Sequence, residues 1–190
     1  MVCPRFKLRA MASDEELMLA YAAGDGRAFE TLYAKHKGPL YRHVLRTVKT
    51  GGEAEELFQD IWMRAIEARG RYTPQAKFTT WLYTIAHNRL VDHWRARGLT
   101  VVSTDDDEDA PEPAAPPSAE PHPQLEARRT LERLATAIAA LPHVQREAFL
   151  LHQEGGLTAA EIAKATGADE EAAKSRLRYA MNKLKDAIGE

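Results

Sequence analysis

At 190 residues the chain has room for one medium domain or two small ones. A hydrophobic share of 44% with 28% charged residues suits a soluble globular protein, and the 7% aromatic share predicts a mostly aliphatic core. One cysteine excludes a disulfide framework or a cysteine-based zinc site, and a net charge of −2 does not by itself point to nucleic acid. The distribution of charge carries more information.

Residues 1–12 read as a basic N-terminal tail without a continuous apolar stretch, so no secretory leader is expected there. Cys3 in this tail has no evident task, and a lone thiol fits a reducing compartment. Met11 is an alternative start, because organised sequence begins just after it.

Ser13-Asp14-Glu15-Glu16 reads as a capping box opening a short helix to about Ala23, closed near Gly24. A second helix follows from about Gly26, with Phe29, Leu32, Tyr33, Leu40, Tyr41, Val44, Leu45 and Val48 on one apolar stripe. Pro39 inside it predicts a kink, and Gly51-Gly52 a stop. The third helix, Glu53 to Ala68, has an inner stripe of Leu57, Phe58, Ile61, Trp62, Ala65 and Ile66. Gly70 and Pro74 mark a loop, and a fourth helix runs from about Gln75 to Arg97 with Phe78, Trp81, Leu82 and Ile85 inward.

Composition then changes. Ser103 to Pro123 holds seven acids, six prolines and no Lys or Arg, and cannot bury enough apolar surface to offset its ordering entropy. It reads as an extended acidic linker. Periodicity returns at Leu125, with Leu131, Leu134, Ile138 and Leu141 on one stripe ended by Pro142. A helix to Glu154, a Gly155-Gly156 stop, a short helix to about Ala165 and a last helix over Glu170–Ala187 complete the chain. The last has Leu177, Ala180, Met181, Leu184 and Ile188 inward. The expected fold is all-α: two small helical domains at 13–98 and 125–188, joined by a linker at 99–124. No segment alternates as a strand, and no membrane insertion is expected.

Leu157-Thr158-Ala159-Ala160-Glu161-Ile162-Ala163, then Thr166-Gly167, then a basic amphipathic helix, is a helix-turn-helix signature. Gly167 permits the sharp turn. Lys174, Ser175, Arg176 and Arg178 lie in the early turns of the second helix, where a helix seated in the major groove reads bases. The alternative is a solvated basic face in an ordinary bundle.

In the first half, charge segregates by helix. Thr50 to Glu67 holds five acids (Glu53, Glu55, Glu56, Asp60, Glu67) and one base, Arg64. Arg69 to Arg97 holds six bases and one acid, Asp92. One helix suits a basic partner and the next an anionic one, although the acidic helix is equally a solvated face. Aromatics interleave with the bases, as in single-strand binders. Phe78 and Trp81 read as core, and Tyr72 in the loop as the better stacking residue.

The run Glu53-Ala54-Glu55-Glu56-Leu57-Phe58-Gln59-Asp60-Ile61-Trp62-Met63-Arg64-Ala65 resembles region two of the extracytoplasmic-function (ECF) RNA polymerase sigma factors. Phe78-Thr79-Thr80-Trp81-Leu82-Tyr83-Thr84-Ile85-Ala86-His87-Asn88 is similar to the family's next signature, and Lys174-Ser175-Arg176-Leu177 to its region-four recognition helix. The resemblance implies a sigma-2 domain, a flexible linker and a sigma-4 domain acting in promoter-specific initiation. It implies that Glu53, Glu55, Glu56, Gln59 and Asp60 dock on the beta-prime clamp helices of core polymerase, with the beta flap as a further contact. Tyr72, Lys77, Thr80, Asn88 and Arg89 would melt and read the minus-ten element, where a base is flipped into a pocket. Thr158, Lys174, Ser175, Arg176, Arg178 and Tyr179 would meet the minus-thirty-five duplex. The acidic linker would follow the polymerase path that RNA later takes, although a plain tether explains its composition equally well. An anti-sigma inhibitor, a cytoplasmic location, and no cofactor, metal or catalysis are expected.

The chain departs from the family pattern. Glu171-Ala172-Ala173 stands where Gly-Thr-Val is frequent, and Tyr179 where a base is common. Asp169, Glu170 and Glu171 favour the helix dipole but repel phosphate. A helix-turn-helix regulator acting without polymerase is the alternative function. It leaves the acidic helix and the Thr-Trp-Leu-Tyr run unexplained, and it predicts tight duplex binding by the protein alone. The seven histidines, His36, His43, His87, His93, His122, His143 and His152, match no catalytic or metal spacing and read as packing or surface residues.

Overall fold

The structure is a computed structural model that describes residues 12–48, 50–97 and 123–189. The tail at 1–11 and residues 99–122 of the expected linker lie outside the described residues. Every regular element among the described residues is helical. The chain divides into two compact units near the end of the fourth helix, between His93 and Trp94. No helix among the described residues is long and apolar enough to cross a membrane.

In the first unit, α1 (Asp14–Ala22) opens on the expected capping box. Ser13 Oγ accepts from the Glu16 amide at 3.2 Å, and Glu16 Oε2 accepts from the Ser13 amide at 2.9 Å. α2 (Gly26–Val48) starts where Asp25 Oδ1 accepts from the Arg27 amide at 3.1 Å. It passes through Pro39 without ending, although the proline has no N–H to give the Lys35 carbonyl.

α3 (Gly51–Ala68) begins earlier than expected. Gly51 and Gly52, read as a stop, form its first turn behind Thr50, whose Oγ1 donates to Glu53 Oε2 at 2.6 Å. A 3-10 turn (Arg69–Arg71) and a short loop lead to α4 (Phe78–Ala96).

Leu32, Leu40 and Val44 of α2, Leu57 and Ile61 of α3, and Phe78, Leu82 and Leu90 of α4 are all buried. The expected inner face of α4 needs one correction. Trp81 and Ile85 are only half-buried, while Tyr83 and Ala86 are fully buried. Burial of Tyr83 is matched by an edge-on contact with the buried His43 ring, centroids 5.2 Å apart. The few aromatics concentrate between α2 and α3, where Phe29 and Tyr33 meet Trp62 at 5.8 and 5.0 Å.

In the second unit α5 (Pro123–Ala140), α6 (His143–Gly155), α7 (Ala159–Thr166) and α8 (Glu170–Ile188) follow in order. Ile138, Leu141, Phe149, Leu150, Ala180 and Leu184 form its core cluster, with Leu134 packed against it. Leu131 and Met181, expected inward, are 66% and 37% exposed. Leu131 stands one heptad before the buried Ile138 on the same side of α5, whereas Met181 is turned about 60° from Leu184 toward the flank of α8.

α6 ends at Gly156, whose φ of 64° gives the left-handed cap. α7 opens on the second capping box, with Thr158 Oγ1 accepting from the Glu161 amide at 3.3 Å and Glu161 Oε2 from the Thr158 amide at 2.8 Å. Gly167 (φ 68°) makes the turn into α8, whose first amides are capped by Asp169.

Candidate docking and nucleic-acid surfaces

The acidic surface lies on α3. Residues Ala54, Leu57, Ile61 and Ala65 bury one side of the helix, and the same period turns Glu55, Glu56 and Gln59 to solvent. Glu53 and Asp60 are half-buried at its flank. Glu53 accepts from Thr50. Asp60 Oδ2 accepts from Arg89 Nε at 2.9 Å and from Arg89 Nη2 at 2.7 Å. A second bridge, Arg64 to Asp92 at 3.0 Å, joins the same two helices. A residue expected to meet polymerase and one expected to meet DNA are therefore bonded to each other.

The expected minus-ten residues divide by exposure. Lys77 and Asn88 are exposed, and Arg89 is held by Asp60. Tyr72 and Thr80 are buried, at 6% and 1% exposure. Neither offers a free surface here, so the expectation of Tyr72 as an open stacking residue is corrected. Its ring packs edge-on to Trp81 at 5.1 Å and Phe78 at 6.4 Å. Burial, then the charges of Glu15 and Asp14, pushes its hydroxyl up to about 12.

Those two carboxylates make contacts beside the site that spacing did not reveal. Glu15 Oε1 of α1 accepts from the Phe78 amide at 2.7 Å, so α4 is capped from another helix. That amide bond helps to hold the Glu15 carboxyl below its ordinary value despite burial. Asp14 accepts from His36 Nε2 at 2.9 Å and from Lys35 Nζ at 2.8 Å. Burial keeps the His36 imidazole below its usual range against the pull of Asp14. In sequence, Asp14 and Glu15 look only like first-turn acids of a capped helix.

The basic surface of the second unit lies on α8. Lys174, Arg178 and Tyr179 are exposed, while Ser175 and Arg176 are half-buried. Lys174 Nζ sits 3.0 Å from Glu170 Oε1 and 3.8 Å from Glu171 Oε2, and the hydrogen bond to Glu170 raises its pKa. The Arg178 guanidinium lies over the Tyr179 ring at 5.3 Å. Thr158 stands at the N-terminus of α7 with its hydroxyl engaged by Glu161.

A helix-turn-helix with a basic second helix, joined in one chain to an all-helical unit with an acidic face, fits a DNA-binding transcription factor. Comparison with known proteins gives the family. The profile of Sigma-70 region 2 matches residues 32–100, and that of Sigma-70, region 4 matches residues 131–184. RNA polymerase sigma factor CarQ of Myxococcus xanthus is 33% identical over 175 residues, 91% of this chain and 96% of that protein. ECF RNA polymerase sigma factor SigM of Mycobacterium tuberculosis (strain H37Rv) is 31% identical over 189 residues, 98% of this chain and 91% of that protein. In fold the chain is similar to CnrH, solved in complex with the cytosolic domain of CnrY. The TM-score is 0.66 at 24% identity, over 94% of this chain and 98% of that one. The chain belongs to the ECF family of RNA polymerase sigma factors, which direct promoter-specific transcription.

Proposed function

We propose that the two units divide the work of initiation. Residues 13–98 form the sigma-2 part, 99–124 a linker and 125–188 the sigma-4 part, after a tail at 1–12. The α3 surface of Glu53, Glu55, Glu56, Gln59 and Asp60 docks on a basic helical element of core polymerase. Lys77, Asn88 and Arg89 meet the minus-ten strand, and Tyr72 and Thr80 shape the floor beneath it. Lys174, Ser175, Arg176, Arg178 and Tyr179 approach the minus-thirty-five duplex, with Thr158 bracing the turn.

The observation that carries this reading is the placement of opposite charge along the chain, with the carboxylates of Glu55 and Glu56 exposed on α3, and Lys77, just before α4, and Arg95, in its last turn, exposed as cations. Carboxylates repel a phosphate backbone and attract a basic protein surface, so the two helices suit different partners. An anti-sigma inhibitor is a further partner in this reading, since the fold neighbour RpoE of Bartonella quintana is solved in complex with the anti-sigma factor NepR. The protein works in the cytoplasm as a binding factor without catalysis of its own.

Run-off transcription with purified core polymerase on a genomic library tests the assignment. Defined start sites are expected with the wild-type chain, and their loss with Glu55→Lys/Glu56→Lys. Failure of that double variant to co-purify with core polymerase would place the defect at docking. Normal co-purification would remove α3 from the docking role.

A further inference from the structure

α8 presents its side chains in two opposed stripes. Ala173, Ala180 and Leu184 are buried and Leu177 is half-buried, which fixes the inward side. At 100° per residue, Glu171, Ser175, Arg178 and Asn182 fall within about 60° of one another on the opposite side. Glu171, Arg178 and Asn182 are exposed, and the Glu171 side chain is 77% open. Lys174 lies on the flank of this stripe, held by Glu170 at 3.0 Å.

The residues facing a groove most directly are therefore a carboxylate, a hydroxyl, a guanidinium and an amide, each of which can read a base edge. The carboxylate is acceptor-only. Among phosphates it is repelled, unless a base edge supplies a donor. In the major groove only the exocyclic amines of cytosine and adenine donate. Adenine places its own N7 acceptor beside that amine, whereas cytosine does not. A carboxylate therefore favours cytosine over adenine, and both over guanine and thymine.

We propose that Glu171 is a specificity-determining residue: its carboxylate accepts from the N4 amine of a cytosine in the upstream promoter element, on the same stripe from which Arg178 reaches a guanine. The assignment rests on α8 being the helix that reads this element. It differs from a general electrostatic penalty because it acts at one base position and on one base identity.

Transcription by core polymerase and the full chain from promoters with a randomised upstream element tests it, with start-site RNA sequenced. The wild-type chain is expected to enrich a cytosine at one position by about five- to a hundredfold, the range over which a good base-edge contact discriminates. Glu171→Ala should level that position alone, while Arg178→Ala should level a different one. Glu171→Gln, which adds donors, should relax the preference toward other bases at the same position. If Glu171→Ala leaves the cytosine preference intact, or raises output on all sequences equally, the assignment is overturned. If the wild-type chain starts transcription with no upstream preference, α8 does not read the element and both readings fall. Unchanged thermal melting of the variants, expected for so open a side chain, separates these results from misfolding.

Discussion

Asp60 and Arg89 show how one pair of side chains ties two surfaces together. Arg89 is largely covered and Asp60 nearly half open, so solvent screens the pair and its contribution to stability is about 0.2–1 kcal/mol. Asp60→Ala should lower the unfolding free energy by no more than about 1 kcal/mol in a urea titration. A loss several times larger would make the bridge a core element instead. His36 has a different signature. Burial holds its folded pKa below the ordinary imidazole value of about 6.5, so the stability it contributes is present above that value and is lost as pH falls through the folded one. Unfolding measured from pH 7 downward should show this loss, and His36→Gln, which keeps a donor for Asp14 but does not titrate, should flatten it. The acid on α3 and the bases on α4 were legible as charge in sequence. The burial of Tyr72 was not, because it comes from packing on Phe78 and Trp81 beside a turn that meets α1, whose Glu15 and Asp14 act on the hydroxyl from more than fifty residues away in the chain. Composition marks a loop by its proline, but it does not say which helices pack beside that loop.

Helix ends were legible where the cap is local and obscure where it is not. Both capping boxes could be read from three-residue spacing, and both are formed. Thr158→Ala should cost about 1 kcal/mol in the melting of the second unit, since it removes an N-cap acceptor. Gly167→Ala meets open space, so its cost is the left-handed backbone alone, about 1–2 kcal/mol. A melt of Gly167→Ala matching the wild type would deny that the turn depends on that conformation. The start of α4 shows the opposite case. Periodicity placed it near Gln75, but the helix begins at Phe78, where Glu15 takes the first amide. Gly51-Gly52 misled for a related reason. Glycine pairs commonly end helices, yet here Thr50 precedes them in extended backbone and the apolar period of α3 carries them along.

For the whole molecule, the near-neutral total charge conceals the argument, because acids gather from Thr50 to Glu67 and bases from Arg69 to Arg97. Counterion release then predicts that promoter affinity of the polymerase complex falls linearly in log–log form with salt. Replacing Lys77, Lys174 and Arg178 together with Ala should flatten that slope in filter binding, and an unchanged slope would place the phosphate contacts elsewhere. The two-part helical organisation was legible because composition breaks sharply at the acidic proline-rich stretch and helical periodicity resumes beyond it. What sequence did not reveal is which expected contact residues stand open and which are covered, since that depends on packing between helices distant in the chain.

The bond from Glu15 to the first amide of α4 gives the opening segment of the protein leverage out of proportion to its size. A protease cutting just after Glu16 would leave every proposed promoter-contacting residue chemically untouched, yet would detach the acceptor that holds the first amide of α4. The first turn of that helix would fray, and the proposed minus-ten surface would lose its support with its own sequence signature intact.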